Sequence, residues 1–422
     1  MFSNKKHKIV FVWLLIFCAS TKSFAQNKSN FFKDALKENR EKFYKQIVNG
    51  INKNLSLPFS TENEEQLSST FYNIGLVKYK NTFVNSKIDS AVKNINSHSN
   101  DYKKALLNLI NSDYPNKYAT YLKPVFKTAI NDAKLMAMAA NYLLPTATNA
   151  DVKMMLAQTT NALQTDPDNA ILFELSQQLK NYGKIIATPS IKTFFAKDYL
   201  PGQVLVFSFQ RKDRNYTGLT LVRNADGNFI KNADSTCFAV GQLARSASNM
   251  PGYITNGNTP QGFFKMNGFD TSNSFFIGTT TNIQLSMPHE YHPYVVANKL
   301  IDTTWSLQQY KDLLPGNFKN YHPIYGTFYA GKAGRTEIIA HGTTIDTSFY
   351  SNQLYAPYTP SAGCLCTKEI WNSKTGYLQT SDQLLLTQAI QKAGGPYGYL
   401  IVIELDEKKA AVKLADVISY LK

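Results

Sequence analysis

The spacing of hydrophobic residues changes about halfway along the chain. In the first half, apolar residues recur every three or four positions, which is the spacing of one helix face. The first such stripe comprises Phe32, Leu36, Phe43, Ile47 and Ile51. In the second half, short apolar runs alternate with turn residues, a pattern typical of β-strands. The expected fold class is therefore α+β, an N-terminal all-α domain followed by a mainly β domain, with the boundary at residues 185–198.

The first domain is predicted to span residues 26–190. Helices are expected at 124–144, ended by Pro145, and at 151–163. Asp166-Pro167-Asp168 then resembles a helix start, with a capping carboxylate and a proline in the first turn. The spacing favours antiparallel helical hairpins, stacked as a short solenoid or as a plain bundle. Recognition of a polymer or partner and simple packing on the second domain are both open as roles.

The second half predicts short strands joined by turns. Asp226-Gly227 fits a tight hairpin turn. A helix is expected at 382–393, ended by Gly394-Gly395-Pro396, and a closing helix at 410–421. The predicted strands lie at 203–209, 218–223, 238–241, 337–340 and 399–405.

The amino terminus has the pattern of a signal peptide, predicted at 1–25. Three lysines precede an apolar run at 9–20, and Ser23-Phe24-Ala25 offers small residues for cleavage before Gln26. The run is too short to span a bilayer comfortably. We therefore expect export to the periplasm or cell envelope, with no membrane span after signal cleavage.

Charge and cysteine content narrow the possible functions. Loss of the signal peptide would lower the formal charge from +15 to +11. A basic mature protein could be attracted to anionic envelope polymers, or its lysines could simply be solvated at the surface. The sequence contains no recognisable nucleic-acid-binding module. Cys237, Cys364 and Cys366 would remain. An odd number of cysteines in an exported chain indicates a free thiol, and a catalytic thiol is the economical explanation.

Two short motifs carry candidate chemistry. Ser361-Ala362-Gly363-Cys364-Leu365 places a thiol in a turn of small residues, and Ala340-His341-Gly342-Thr343 places a histidine at the end of an apolar run. In thiol acyl transfer, a thiolate attacks a carbonyl, an imidazole takes the proton and backbone N–H groups hold the oxyanion. The two motifs need not be adjacent, since the fold can bring them together.

A third motif gives these two a context. Thr259-Pro260-Gln261-Gly262-Phe263-Phe264 follows Val240-Gly241-Gln242, and both precede the histidine and cysteine motifs. This ordered set resembles the L,D-transpeptidase catalytic domain, over roughly residues 204–405. The resemblance implies a mainly β catalytic domain at 199–422, with an insertion at about 266–329.

The match departs from the family pattern in three places. Ala362 stands where the family often has His, and Cys366 where it usually has Arg or Asn. The stretch between His341 and Ser361 is also longer than usual. The second departure removes a polar group expected to orient substrate, so the usual peptide specificity does not follow.

The resemblance assigns roles to matching positions. Cys364 would be the nucleophile, His341 its base, the Gly342 carbonyl the group that holds the imidazole, and the Gly363 backbone N–H an oxyanion donor. Ser361, Thr343 and Ala362 would contact substrate. The implied substrates are peptidoglycan stem peptides: the thiol attacks the carbonyl of the third stem residue, D-alanine leaves, and a second stem's amine resolves the thioester. No cofactor is implied, and the oligomeric state is open.

Two other functions stay open. One is hydrolysis of a peptidoglycan bond by the same thiol, and the other is a catalytically silent wall-binding module.

Two residue sets also have more than one interpretation. Metal binding by His289, His292 and His322 is disfavoured, because His289 and His292 are not four apart as in a helical zinc motif. Cys366 could pair with Cys237 or Cys364, but a small buried hydrophobe is preferred, because a bridge within Cys-X-Cys would strain the turn.

Overall fold

The structure is a computed structural model that describes residues 30–290 and 306–420, with the backbone of Val295–Val296 and Lys299–Leu300 between them. The predicted signal peptide at 1–25 lies outside the described residues. Helices fill the first part of the chain and strands dominate the second, so the α+β class is confirmed. No helix among the described residues is long and apolar enough to cross a membrane.

Among the described residues, eight α-helices precede the first barrel strand. They are α1 Lys37–Leu55, α2 Glu64–Val77, α3 Thr82–Lys93, α4 Asn100–Asp113, α5 Ala119–Thr128, α6 Ala133–Leu143, α7 Asn149–Thr165 and α8 Ala170–Lys180. The even-numbered helices form a row in which α2 contacts α4, α4 contacts α6 and α6 contacts α8, while α5 and α7 pair with α6 and α8. This arrangement is a short solenoid of helical hairpins.

Side-chain caps decide where several helices begin, and two predictions were wrong at such caps. The helix predicted at 124–144 is two helices, because Asp132 accepts a hydrogen bond from the Leu135 N–H (2.9 Å) and starts α6 afresh. Pro124 lies inside α5 instead of at a start. The start predicted at Asp166-Pro167-Asp168 falls later, where Asn169 caps α8 through the Leu172 N–H (3.1 Å).

The second part of the chain forms a closed barrel of eight strands in the order β1-β12-β4-β5-β8-β9-β3-β2. Neighbouring strands are antiparallel except for two parallel pairs, β1 with β12 and β8 with β9. The barrel strands are β1 Leu205–Gln210, β2 Gly218–Arg223, β3 Val240–Leu243, β4 Gly262–Asp270, β5 Asn282–Ser286, β8 Ile339–His341, β9 Leu365–Thr367 and β12 Tyr397–Glu404.

Shorter elements complete the fold. Two small hairpins pair β6 with β7 and β10 with β11. The hairpin strands and remaining helices are β6 Val295–Val296, β7 Lys299–Leu300, α9 Leu307–Leu313, α10 Gly326–Lys332, β10 Glu369–Trp371, β11 Leu378–Ser381 and α11 Asp382–Lys392. The segment expected to be an insertion, 266–329, thus supplies barrel strand β5 as well as α9.

The predicted strands, the 382–393 helix and the Asp226-Gly227 turn all appear. The closing helix at 410–421 was wrong: in its described part only two 3-10 turns form, Leu414–Asp416 and Ile418–Tyr420. In this segment the carbonyls of Ala410 (3.0 Å) and Ala411 (3.4 Å) accept from the guanidinium of the buried Arg211. The segment thus bonds to a distant side chain in a non-helical conformation.

Both faces of the central strands are buried. One face packs with α11, in a cluster that includes Val206, Phe264, Leu400 and Ile390. The other face packs against α9, α10 and neighbouring turns, in a cluster that includes Phe207, Phe263, Ile401 and Tyr310. This double burial explains why β1 and β12 are almost continuously apolar in sequence.

The solenoid packs on the barrel through a shared hydrophobic cluster, because residues of the barrel loops join the helical cluster. Each even-numbered helix also has a polar contact with these loops. The Tyr350 hydroxyl donates to the Leu76 carbonyl of α2 (2.7 Å). The others are Asn111 of α4 with Ser248, Asn141 of α6 with Met250, and Gln178 of α8 with Tyr253. The helices therefore form one wall of the barrel's loop end.

We expect Tyr350→Phe to lower the free energy of unfolding by about 1 kcal/mol, because the Leu76 carbonyl loses its buried donor. Tyr397→Phe is the matched control, since this tyrosine is 66% exposed. Denaturant unfolding followed by circular dichroism measures both, and the shared core predicts a single transition for helices and barrel. Separate transitions for the two parts would contradict this.

Candidate active site

The turn that carries the candidate nucleophile is stapled by its own serine. Ser361 Oγ accepts from the Gly363 N–H (3.0 Å) and donates to the Cys364 carbonyl (2.9 Å). Gly363 has φ +121°, a conformation that favours glycine. Thr259, from the Thr-Pro motif, donates to the Gly363 carbonyl (2.8 Å). The two motifs, far apart in sequence, therefore meet at this turn.

Arg335 lies directly under the turn, and no motif in the sequence indicates it. Its guanidinium is buried and donates to the carbonyls of Gly252, Gly257 (2.7 Å) and Asn258 (2.7 Å). A Cβ at position 363 would overlap this guanidinium. Arg335 thus fixes the loop after β3 against the nucleophile turn. Burial lowers its pKa to about 10, partly offset by the nearby Cys364.

The Cys364 sulfur is partly exposed and lies beside the start of β8. The Ile339 N–H points at Sγ (3.5 Å). Burial raises the pKa of the Cys364 thiol, while the Ile339 N–H and the charge of Arg335 oppose that shift. The nearby Glu337 raises this pKa further. In the free protein, Cys364 is therefore held as a neutral thiol, with two groups in place that favour its anion.

His341 ends β8 and is almost fully buried. Its Nδ1 donates to the Gly342 carbonyl, so Nε2 is the acceptor of the neutral ring. Burial lowers the pKa of His341 to about 4, and the bond to Gly342 opposes that shift. The imidazole is thus unprotonated at neutral pH, as a general base must be.

The sulfur in contact with the imidazole belongs to Cys366, not to the predicted nucleophile Cys364. Cys366 Sγ lies 3.6 Å from His341 Nε2, because the parallel β8–β9 register pairs these two residues. Cys364 lies one residue before β9 begins, and both thiols line the same cavity. Burial raises the pKa of the Cys366 thiol strongly, and the neighbouring Cys364 raises it further. Cys237, Cys364 and Cys366 are all free thiols.

Glu369 packs against Gly342, next to His341, and no motif in the sequence indicates it. A Cβ at Gly342 would overlap its carboxyl group, so only glycine fits between them. Glu369 is buried and accepts from the Ser381 hydroxyl (2.7 Å). Burial raises the pKa of Glu369 to about 7, with Ser381 opposing the shift. The Glu369 carboxyl group thus packs against the Gly342 backbone, whose carbonyl accepts the hydrogen bond from the imidazole.

One cavity of about 350 Å³ collects the predicted residues. Cys364, His341, Ser361, Ala362 and Thr343 all line it, together with Cys366. Thr343 is buried, and its hydroxyl accepts from Thr359 (2.7 Å). Helices α2 and α4 line the cavity from the opposite side, through Ser68, Phe71, Tyr72, Gly75, Leu76, Ala105, Asn108 and Leu109.

Of the three histidines considered for metal binding, the two that the structure describes lie apart from this cavity. His322 pairs with Glu174 of α8 (2.9 Å), and His289 packs edge-on against Phe328. His292 lies outside the described residues. Within the described part of the chain, no group of three or more His, Cys, Asp or Glu is placed to hold a metal ion.

Comparisons of the chain with protein-family models, with curated proteins and with solved structures give no match. The resemblance to the L,D-transpeptidase domain therefore rests on the motifs and stays a prediction.

The missed residues had weak signals in the sequence. Glu369 lies between Lys368 and the apolar pair Ile370-Trp371, and a buried carboxyl is unusual at any such position. Arg335 follows a glycine in a polar turn and has no motif. The helical lining has the ordinary apolar spacing of a packed helix, which cannot distinguish a core face from a cavity wall.

We expect Glu369→Gln to flatten the pH dependence of stability. The folded pKa of Glu369, about 7, lies above the ordinary value of 4.5. Its contribution is therefore fully present below pH 4.5 and is lost as the pH rises through 7. The free energy of unfolding of the variant, minus that of the wild type, should therefore be about 1–3 kcal/mol larger at pH 8 than at pH 4.5.

Urea unfolding across this pH range measures the effect. Glu407→Gln, at an exposed carboxylate, is the control and should leave the curve unchanged. Equal curves for wild type and Glu369→Gln would contradict the assignment.

Proposed function

We propose that this protein is a cysteine acyltransferase that acts on peptidoglycan stem peptides through a thioester at Cys364. The observation that carries the proposal is the single cavity lined by Cys364, His341 and the Ser361 turn. The thiol, a neutral imidazole and a backbone turn are the three parts that acyl transfer requires. The motif order provides the substrate class through its resemblance to L,D-transpeptidases. Export to the cell envelope belongs to the same proposal.

In the proposed first step, the Cys364 sulfur attacks the carbonyl carbon of the third stem residue. A C–S bond forms and the thiol proton passes to His341 Nε2. The C–N bond to D-alanine then breaks, and the imidazolium returns the proton to the leaving amine. A second stem's amine, or water, attacks the thioester and releases the sulfur as a thiol again. Water in this step gives the hydrolase alternative.

Two local bonds must rearrange for this chemistry. The Gly363 N–H is used by Ser361 Oγ, so it serves an oxyanion only if the serine hydroxyl turns away. His341 Nε2 faces Cys366, so it must accept from Cys364 instead. Both changes require side-chain movement, and catalytic hydrogen bonds often tighten only in the substrate complex.

A second candidate function is a catalytically silent wall-binding module. The observation that favours it is the same contact: the imidazole lies against Cys366, while burial raises the pKa of both thiols. Such a module would bind stem peptides in the cavity without forming a thioester.

We expect the mature protein to form an acyl-enzyme with a labelled stem tetrapeptide and to release D-alanine. Since the pKa of His341 is about 4, the base stays unprotonated well below pH 6.5. Acylation should therefore persist to about pH 5 and fall as the pH approaches 4. Intact-mass spectrometry measures the adduct, and Cys364→Ala should abolish it.

His341→Gln should slow acylation by about two orders of magnitude or more. Full activity of Cys364→Ala would contradict both the acyltransferase and the hydrolase function. Stem-peptide binding without any adduct would favour the silent module. Half-loss of activity near pH 6.5 would contradict the buried, neutral imidazole.

Cys366→Ala tests which thiol the imidazole serves. Removing the Cys366 thiol frees Nε2, so acylation of Cys364 should become faster. The variant should lose about 1 kcal/mol of stability, because a buried side chain is truncated. Peptide mapping of the adduct reads out the site. Loss of the adduct in Cys366→Ala, with the adduct on residue 366 in the wild type, would assign the nucleophile to Cys366.

A further inference from the structure

The cavity over Cys364 is without ionised side chains. Among the described residues that line it, none is Asp, Glu, Lys or Arg, although the chain carries 75 such residues. Its wall is mainly apolar and includes Phe71, Tyr72, Leu109, Phe276 and Ile277. The imidazole adds no charge, because burial lowers the pKa of His341. A ligand that binds here therefore leaves water and contacts a lining of uncharged side chains.

We propose that the acyl donor fills this cavity with an uncharged, mainly apolar group next to the reacting carbonyl, and that α2 and α4 select it. This rests on the proposed function and adds the substrate class. Burial of an unpaired carboxylate or ammonium is strongly unfavourable, whereas burial of methylene groups is favourable. The cavity volume, about 350 Å³, is at the small end for ligand sites and suits one such group.

The polar residues in the lining fit a neutral peptide. Asn108 of α4 lines the cavity, and the described residues offer no hydrogen-bond partner to its buried Oδ1. A buried acceptor left without a donor costs free energy, so a ligand amide N–H that reaches it would stabilise the complex. Ser68, Ser248 and Ser274 add neutral hydroxyl groups to the same lining. These groups satisfy amides without adding charge.

The helices therefore contribute to the site itself. Ser68 and Gly75 of α2 face the cavity, and a Cβ at Gly75 would lie 3.6 Å from Leu109 Cδ1, an ordinary contact. The solenoid thus has a role beyond packing on the barrel: its second and fourth helices set the size and polarity of the space in front of the thiol.

Two matched maleimides test the ligand class without requiring acyl transfer. N-hexylmaleimide is neutral, and 6-maleimidohexanoic acid has a chain of the same length that ends in a carboxylate. The rate of each reagent at Cys364, measured by peptide mass spectrometry at pH 7, is divided by the rate of the same reagent with glutathione. We expect this relative rate to be roughly tenfold or more higher for the neutral reagent. Cys364→Ala identifies the peptide signal that belongs to this thiol.

Charge added to the wall should reverse this preference. Ser68→Lys should raise the relative rate of the carboxylate reagent at least about threefold, because a cation then faces its anion in the cavity. Ser69→Lys adds the same charge on an exposed position of α2 and should change the ratio little. Circular dichroism and thermal unfolding check that both variants are folded.

Failure of this inference is distinguishable from failure of the proposed function. An equal or faster relative rate for the carboxylate reagent in the wild type overturns the uncharged donor, whatever the acyl-enzyme assay gives. A strong preference for N-hexylmaleimide together with no acyl-enzyme leaves the ligand class standing and overturns the acyltransferase.

Discussion

The parallel pairing of β8 with β9 is the constraint on which the candidate site depends. It is one of two parallel pairs in a barrel that is otherwise antiparallel, and it fixes His341 opposite Cys366. Cys364 precedes β9 by one residue and lines the same cavity as the imidazole. A shift of one residue in either strand would send the Cys366 thiol and the imidazole to opposite faces.

The helical wall changes the chemistry of those strand ends. Without α2 and α4, the loops around Cys364 would face solvent. With them, the imidazole and Cys366 are buried, and the pKa of His341 falls to about 4 while the pKa of each thiol rises. Burial is the largest cause of each shift, because removal of water disfavours the charged form of each group. Burial thus holds the site neutral and apolar, and the same helices select what enters it.

The sequence could predict the elements better than their assembly. Strands with buried faces, the Asp226-Gly227 turn and the α11 helix have local signals, and they appear. The closing helix does not form, and the carbonyls of Ala410 and Ala411 instead accept from Arg211, about 200 residues earlier. Arg335 and Glu369 act through backbone groups of distant segments, so no spacing in the sequence could indicate them. The contact of His341 with Cys366 depends on strand register, which a motif does not specify.

The opposed pKa shifts also constrain how the proposed reaction can start. In a buried site, a thiolate facing an imidazolium is disfavoured relative to the neutral pair, since each ion lacks water. A preformed ion pair is therefore not the resting state of Cys364 and His341. The proton must leave sulfur as the C–S bond forms, when negative charge moves to the carbonyl oxygen and backbone donors can receive it. An uncharged acyl group favours this order of events, because it excludes water without adding a charge that would compete for the same donors.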